Sequence, residues 1–347
     1  MRGIVALLVA GFLFVSIFLL YPSVRSEETV GNTLYVGGSG PGNYSSIQDA
    51  INTSTDGDTI FVYNGVYTEY VTIDKSINLI GENKETTIVD EEGKSELGYV
   101  FRLFADYINL TGFTIQNSFA NIDSTDEYLF GIYVNSNNSK IFGNIITKSI
   151  YGIYLYNSFN NTITTNKLKE YSTGIVLWQS SDNKIENNEI TTNNQYSVKY
   201  DSKEGIFMFD SHDNIITNNT ISNYSSGISL FHLSENNTIY YNNFINNTQN
   251  ANDSGNNSWD NGKYGNYWDN YNGLDKNNDG IGDTPYNIPG GNNQDKYPLM
   301  MPYDGTIRLK EFYIDQGSVF TMLIIGMIVV IIFLLPIAYI WYKKGWR

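Results

Sequence analysis

The stretch Gly152-Ile153-Tyr154-Leu155, continued by Ile163, Asn166 and Leu168 and restarting at Gly174-Ile175-Val176-Leu177, decides the fold. The same opening, glycine then isoleucine then an apolar fourth residue, recurs at Gly131-Ile132-Tyr133-Val134, Gly205-Ile206-Phe207-Met208 and Gly227-Ile228-Ser229-Leu230. Successive glycines stand 21, 22, 31 and 22 residues apart, and the long step holds an insertion around Thr192 to Glu204. A second apolar position follows each glycine by about eleven residues, at Ile141, Ile163, Ile185, Ile216 and Ile239. A third comes at Ile146, Leu168, Ile190, Ile221 and Phe244, and an asparagine lies between the two, at Asn144, Asn166, Asn188, Asn219 and Asn242.

Each unit of about 22 residues thus holds three short strands separated by polar corners, and repeats of this length build solenoids. Alternation within each strand buries one face. Asparagine suits a corner because it hydrogen-bonds backbone and tolerates left-handed φ, and stacked asparagines bond one another along the axis. The Leu-x-x-Leu-x-Leu signature of leucine-rich repeats is missing, and the register is too uniform for an antiparallel sandwich. The pattern predicts an all-β, right-handed parallel β-helix over residues 33–303, with a C-terminal cap at about 252–303.

Upstream the spacing is looser, with strands expected at Thr59–Val62, Tyr70–Ile73, Ile77–Ile80, Thr86–Val89, Tyr99–Phe104 and Ile108–Ile115. Ser45 to Ile51 reads as a short amphipathic helix with a serine N-cap and apolar Ile47, Ala50 and Ile51. Such a helix covers the open end of the solenoid, where unpaired edges invite aggregation.

Both chain ends are apolar. Residues 1–26 carry an uncharged run from Gly3 to Val24, and Val24 and Ser26 suit cleavage before Glu27. The run is long for a signal peptide, so an uncleaved N-terminal membrane anchor is the alternative. No charge falls between Asp315 and Lys343, and residues 319–342 are long enough to cross a bilayer. Tyr339, Trp341 and Tyr342 stand at the aromatic-belt level, and Lys343, Lys344 and Arg347 mark a cytoplasmic tail. The expectation is a single-pass protein with residues 304–318 as linker and the β-helix outside the cytoplasm. Cysteine is absent, so the exported domain depends on its core, on metal or on glycans. A net charge of −15 argues against nucleic acid as a partner and against unassisted binding of polyanions.

The stretches Tyr35–Gly38, Ser45–Ile51, Asp56–Ile60 and Ile77–Gly81 resemble the N-terminal coils of pectin-lyase-like β-helices. The later repeats resemble the NosD-type family. They close on Tyr267-Trp268-Asp269, Asp279-Gly280-Ile281-Gly282-Asp283, Pro285-Tyr286 and Tyr297-Pro298-Leu299. The family is named for an accessory protein in maturing the copper sites of nitrous oxide reductase. Many archaeal surface proteins of unassigned activity share its signature, so the resemblance implies fold and location better than chemistry.

Asp275, Asn277, Asp279, the carbonyl of Ile281 and Asp283 present oxygens at alternate positions, with Gly280 in the turn. This is the pattern of a structural Ca²⁺ loop, and a more distant acid such as Asp295 completes the set. A metal-free cap rich in Asx turns is the plainer alternative. On the outer face of the Gly-Ile-x-φ strands, alternation places Tyr133, Tyr154, Tyr156, Trp178, Phe207, Phe209 and Phe231 in an exposed column about 4.8 Å per coil. Such rings suit sugar stacking or docking of envelope proteins, although neighbouring rings also stabilise parallel strands. Trp259, Tyr264, Tyr267, Trp268 and Tyr271 read as a hydrophobic cap rather than a sugar platform.

Asp210, His212 and Asp213 are weak catalytic candidates, similar to an element of alginate-epimerase-like β-helices. His212 falls at a corner filled elsewhere by Phe159 and Ser181, and His232 at one filled by Asn157, Gln179 and Asp210. Copper is built from Cys, His and Met, and two histidines with Met208, Met300 and Met301 make no evident site. A lyase needs a base near the substrate carboxylate, and between Glu27 and Asp315 the arginines are Arg102 and Arg308. Sequons at Asn43, Asn52, Asn109, Asn137, Asn160, Asn218, Asn223, Asn236, Asn246, Asn252 and Asn256 predict glycosylation at surface corners.

The residues favour a membrane-anchored cell-surface β-helix that binds glycans or envelope partners without catalysis. The alternatives are a carbohydrate-active lyase or epimerase, and, as the resemblance implies, an accessory scaffold of a membrane complex.

Overall fold

A computed structural model of the chain describes residues 31–91, 98–116, 129–169, 172–192 and 203–304. Residues 1–30 and 305–347, with both apolar segments read as leader and membrane span, lie outside the described residues. Among the described residues no helix is long and apolar enough to cross a membrane.

The chain winds into three parallel sheets, so each coil contributes one strand to each sheet. A wide sheet carries the Gly-Ile-x-φ strands: Phe130–Val134, Tyr151–Tyr156, Thr173–Trp178, Glu204–Phe209 and Ser226–Phe231. Val71–Ile73 and Tyr99–Leu103 precede them and Gln249–Asp253 follows. A second sheet runs from Thr33–Val36 to Thr238–Tyr240, and a third from Gly65–Tyr67 to Tyr267–Trp268. The registers repeat the sequence period, as in Ile132↔Ile153↔Ile175↔Ile206↔Ile228 and Ile141↔Ile163↔Ile185↔Ile216↔Ile239. These columns of like aliphatics are fully buried and form one continuous core. The protein is a parallel β-helix.

The repeating glycine has a steric cause. A Cβ on Gly131, Gly152, Gly174, Gly205 or Gly227 lies 2.5–2.7 Å from a carbonyl oxygen of the next coil. The same Cβ meets the third-sheet core residue, such as Ile146 or Leu168. Glycine and the following isoleucine therefore both face inward, and the paired register steps over the glycine equally on both strands. The residue before it, such as Glu204, is turned outward.

One expected strand divides. Ile108–Ile115 reads as continuous, but the chain turns at Gly112, whose φ is 85°. Asn109–Thr111 joins the second sheet and Thr114–Gln116 the third. Only a left-handed corner lets three strands fit in one coil, and glycine enters that conformation without a Cβ penalty.

Two asparagine ladders bind the corners. In the first, Asn144, Asn166, Asn188, Asn219, Asn242 and Asn266 each accept the backbone N–H of the previous rung at 3.0 Å, beginning beyond Asn144. Their amides donate back to carbonyls such as Ile141 O and Ile163 O, both at 2.9 Å. The second ladder, Asn161, Asn183, Asn214, Asn237 and Asn257, repeats this at 2.9 Å. A serine ladder (Ser158, Ser180, Ser211, Ser234) completes the corner beside the wide sheet. The first ladder follows from the sequence period. The second, five residues upstream in most coils, is equally periodic and was not singled out there.

The helix forms at Ile47–Thr53, capped by Ser46, whose hydroxyl accepts Asp49 N–H. Glu69 receives Ser46 Oγ, Ile47 N and Gln48 N, while Lys75 Nζ donates to Ile51 O and Asn52 O. An acid at the helix start and a base at its end match the helix dipole, and both flank the strand Val71–Ile73. Ile47, Ala50 and Ile51 are buried on the solenoid end.

Candidate functional site

The outer face of the wide sheet is where chemistry gathers.

The aromatic residues resolve into two columns rather than one. Register places Arg102, Tyr133, Tyr154, Val176, Phe207 and Ser229 in line, and Tyr156, Trp178, Phe209 and Phe231 in a second line beside them. All seven rings expected at the surface are half-buried, not exposed. Tyr133 and Tyr154 stack at 5.9 Å with planes 9° apart, and Trp178 on Phe209 at 4.3 Å and 18°. Phe209 stacks in turn on His232 at 4.8 Å, and Phe207 lies tilted 5.7 Å from Phe231. Rings stacked along the axis cover one another's faces, so part of their role is to stabilise the sheet. The hydroxyls of Tyr133 and Tyr156 make no hydrogen bond among the described residues. Burial pushes the Tyr133 hydroxyl pKa upward, opposed by the nearby Arg102 charge.

Glu204 is a feature sequence reasoning missed. It is buried at the start of its strand, and burial pushes its carboxyl up to about 7, against a hydrogen bond to Ser229. Its place before the repeating glycine is the available signal: the residue there faces outward.

Asp210, His212 and Asp213 lie on the turn that ends the same strand. His212 Nε2 stands 3.7 Å from Asp210 Oδ1, and His212 N donates to Ser181 Oγ. Asp210, at φ 51°, repeats the left-handed conformation of Asn157, Gln179 and His232, and Asp213 that of Asn160, Asp182 and Asn236. The turn's backbone thus accounts for both aspartates. Six residue steps along an extended strand, roughly 20 Å, separate Glu204 from Asp210, too far to flank one glycosidic bond.

In the loop 275–283, Asp275 accepts Asp279 N and Gly280 N at 3.2 and 2.9 Å, and Asp279 Oδ1 accepts Ile281 N at 2.9 Å. Asn277 Nδ2 donates to Asp279 Oδ2, and Asp283 accepts Lys276 N. Asp295 does not join them: its oxygens accept Asn266 N, Trp268 Nε1 and Tyr297 N. Burial raises its pKa to about 7 against those donors. Trp259 and Trp268 are buried, and Trp268 is sandwiched between Phe244 at 4.5 Å and Tyr286 at 4.3 Å, as a cap requires. Asn270, Tyr271, Leu274, Pro285 and Tyr286 line a cavity of about 570 Å³ beside it.

The model of a family described as periplasmic copper-binding protein (NosD) matches residues 51–273. A probable ABC transporter binding protein NosD from Stutzerimonas stutzeri is 40% identical over 85 residues, which is 24% of this chain and 20% of that protein. The match thus spans about one fifth of that relative's length. Among solved structures, XylC in complex with xylose aligns with TM-score 0.54 and 13% identity over 77% of this chain and 73% of its own. Dettilon tailspike protein aligns with TM-score 0.49 and 16% identity over 65% and 46%. At these identities the structural likeness concerns fold alone.

The donors of the described residues do not fit the copper of the family description. The sequence has no cysteine, and Met208 is buried in the core. His212 and His232 lie on separate turns, the latter stacked on Phe209. No group of three His, Cys, Asp or Glu side chains converges among the described residues. With the matched segment embracing both asparagine ladders and the aromatic face, the chain belongs to the NosD family of periplasmic β-helix proteins.

Proposed function

We propose that the protein is a membrane-tethered extracytoplasmic scaffold whose wide-sheet face binds glycans without transforming them. The observation that carries this reading is the clustering of seven half-buried rings on one face of five consecutive coils, where the Tyr133 and Tyr156 hydroxyls make no hydrogen bond among the described residues. Apolar ring surface interleaved with hydroxyl donors matches a sugar, which offers C–H faces and O–H edges to the same partner. The separation of Glu204 from Asp210 supports binding over cleavage. Residues 319–342 supply the tether, with the C-terminus cytoplasmic, and the loop 275–283 takes a structural Ca²⁺.

Titration of the purified full chain against a polysaccharide panel tests the reading. Saturable binding weakened by Tyr154→Ala, without new sugar products, supports it. Failure of every glycan to bind folded protein removes it, and release of unsaturated or epimerised sugars favours an enzyme instead.

A second reading, an accessory scaffold for a transporter complex, is favoured by the match to the probable ABC transporter binding protein. Co-purification of transporter subunits with the full chain tests it.

A further inference from the structure

We propose that the wide-sheet face selects anionic over neutral glycans, with Arg102 as the group that recognises the sugar's negative charge. This rests on the glycan reading above.

Arg102 is the cation of the aromatic columns. It lies in register between Thr72 on one coil and Tyr133 on the next, neither of them charged. Its guanidinium carbon sits 4.6 Å from the Phe104 ring centre and 5.8 Å from that of Tyr99. Among the described residues it makes no ion pair and no side-chain hydrogen bond. Lys167 and Lys184 find carboxylates on Glu189 and Glu186, whereas Arg102, like Lys140 over Phe142, packs against rings.

The packing explains how the group is held ready. Ring contacts restrain a guanidinium through its face and leave the N–H groups at its edge available. Those five donors form a planar fork that matches a carboxylate bidentately. The unpaired Tyr133 hydroxyl and the parallel Tyr133–Tyr154 stack continue from Arg102 along the solenoid axis. A glycan lying along that axis sets a charged substituent on Arg102 and its ring and hydroxyls against the tyrosines. Pairing restrained side chains in this way limits the entropy lost on binding.

The test is calorimetric titration of the purified full chain with an oligogalacturonate, its fully methyl-esterified form, and a neutral glucan oligosaccharide. The free acid is expected to bind roughly tenfold more tightly than the ester, the scale of a charge-assisted hydrogen-bonded pair. Arg102→Gln should abolish that preference while keeping the ester's affinity. Arg102→Lys should retain part of the preference, and Tyr154→Ala should weaken all ligands together. Equal affinity of wild type for acid and ester, or a preference that survives Arg102→Gln, overturns the role of Arg102 and leaves glycan binding standing. Absence of binding to all three overturns both. Arg102 is half-buried on the outer face, and unchanged thermal melts certify that the variants fold.

Discussion

The indole Nε1 of Trp259 donates to Asp253 Oδ2 at 2.8 Å, and both residues are wholly buried. The same carboxylate accepts Asn293 Nδ2, Asn257 Nδ2 and Gly255 N at 2.7–2.9 Å. The last rung of the second asparagine ladder, the cap tryptophan and the final hairpin thus meet on one aspartate. Asp295 does the same for Asn266 and Trp268 at the end of the first ladder.

Asp253→Ala should therefore be costly, because it leaves four donors without an acceptor. A loss of about 4 kcal/mol is expected. Urea titration followed by tryptophan emission measures it, with Trp259 moving to a wetter environment. A variant as stable as wild type would remove the aspartate from its role as terminus.

Within the ladder, Asn188→Ala removes the acceptor of Asn166 N and both donors of its own amide. About 3 kcal/mol of stability should be lost. Asn187→Ala, one residue away at a left-handed corner outside the ladder, should cost less than half of that.

Gly152→Ala tests the close approach at the repeating glycine. The added methyl faces Gly174 O at 2.5 Å and Leu168 Cδ2 at 2.9 Å. Backbone on one side and packed core on the other prevent relief, so about 3 kcal/mol of destabilisation is expected. A thermal melt reads it directly.

Most of the fold was legible before any coordinates, because a 22-residue period with one aliphatic per strand leaves few architectures open. Where reading failed, the cause was local. Ile108–Ile115 looked like a single strand because its apolar spacing hides the corner at Gly112. The aromatic residues form two columns because outward positions two apart on one strand, such as Tyr154 and Tyr156, pair with different rows of the next coil. The arrangement of Asp253 and Asp295 depends on contacts 40 and 29 residues apart, which no period announces. Arg102 was noted only as a scarce base, since its ring contacts and lack of a carboxylate are matters of packing.

Glu204 gives a pH signature. Its folded pKa, about 7, stands above its ordinary 4.5, so the folded state keeps a proton that the unfolded chain has released between those values. The stabilisation is complete below about pH 4.5 and lost as pH rises through 7, amounting to about 3 kcal/mol. Asp295, also raised to about 7, adds to the same fall. Glu204→Gln should flatten the decline between pH 4.5 and 7 only in part, as unfolding free energies across that range will show.

Calcium at 275–283 is open to a direct check. Chelation should lower the melting temperature of the wild type, and calcium should restore it. Asp279→Asn should weaken that dependence. A melt indifferent to both additions excludes a structural ion there.

The ladders also have a direction. Each backbone N–H hands its bond to the asparagine one coil further on, so every interior rung is both customer and supplier, and any rung can follow any other. Only the last has nothing ahead of it, and there the chain places aspartate, which accepts without demanding. A coil can thus be duplicated or deleted from the middle without rewriting either end. In effect the protein carries a stop codon in its side chains, and its rod length is free to drift while its terminus stays fixed.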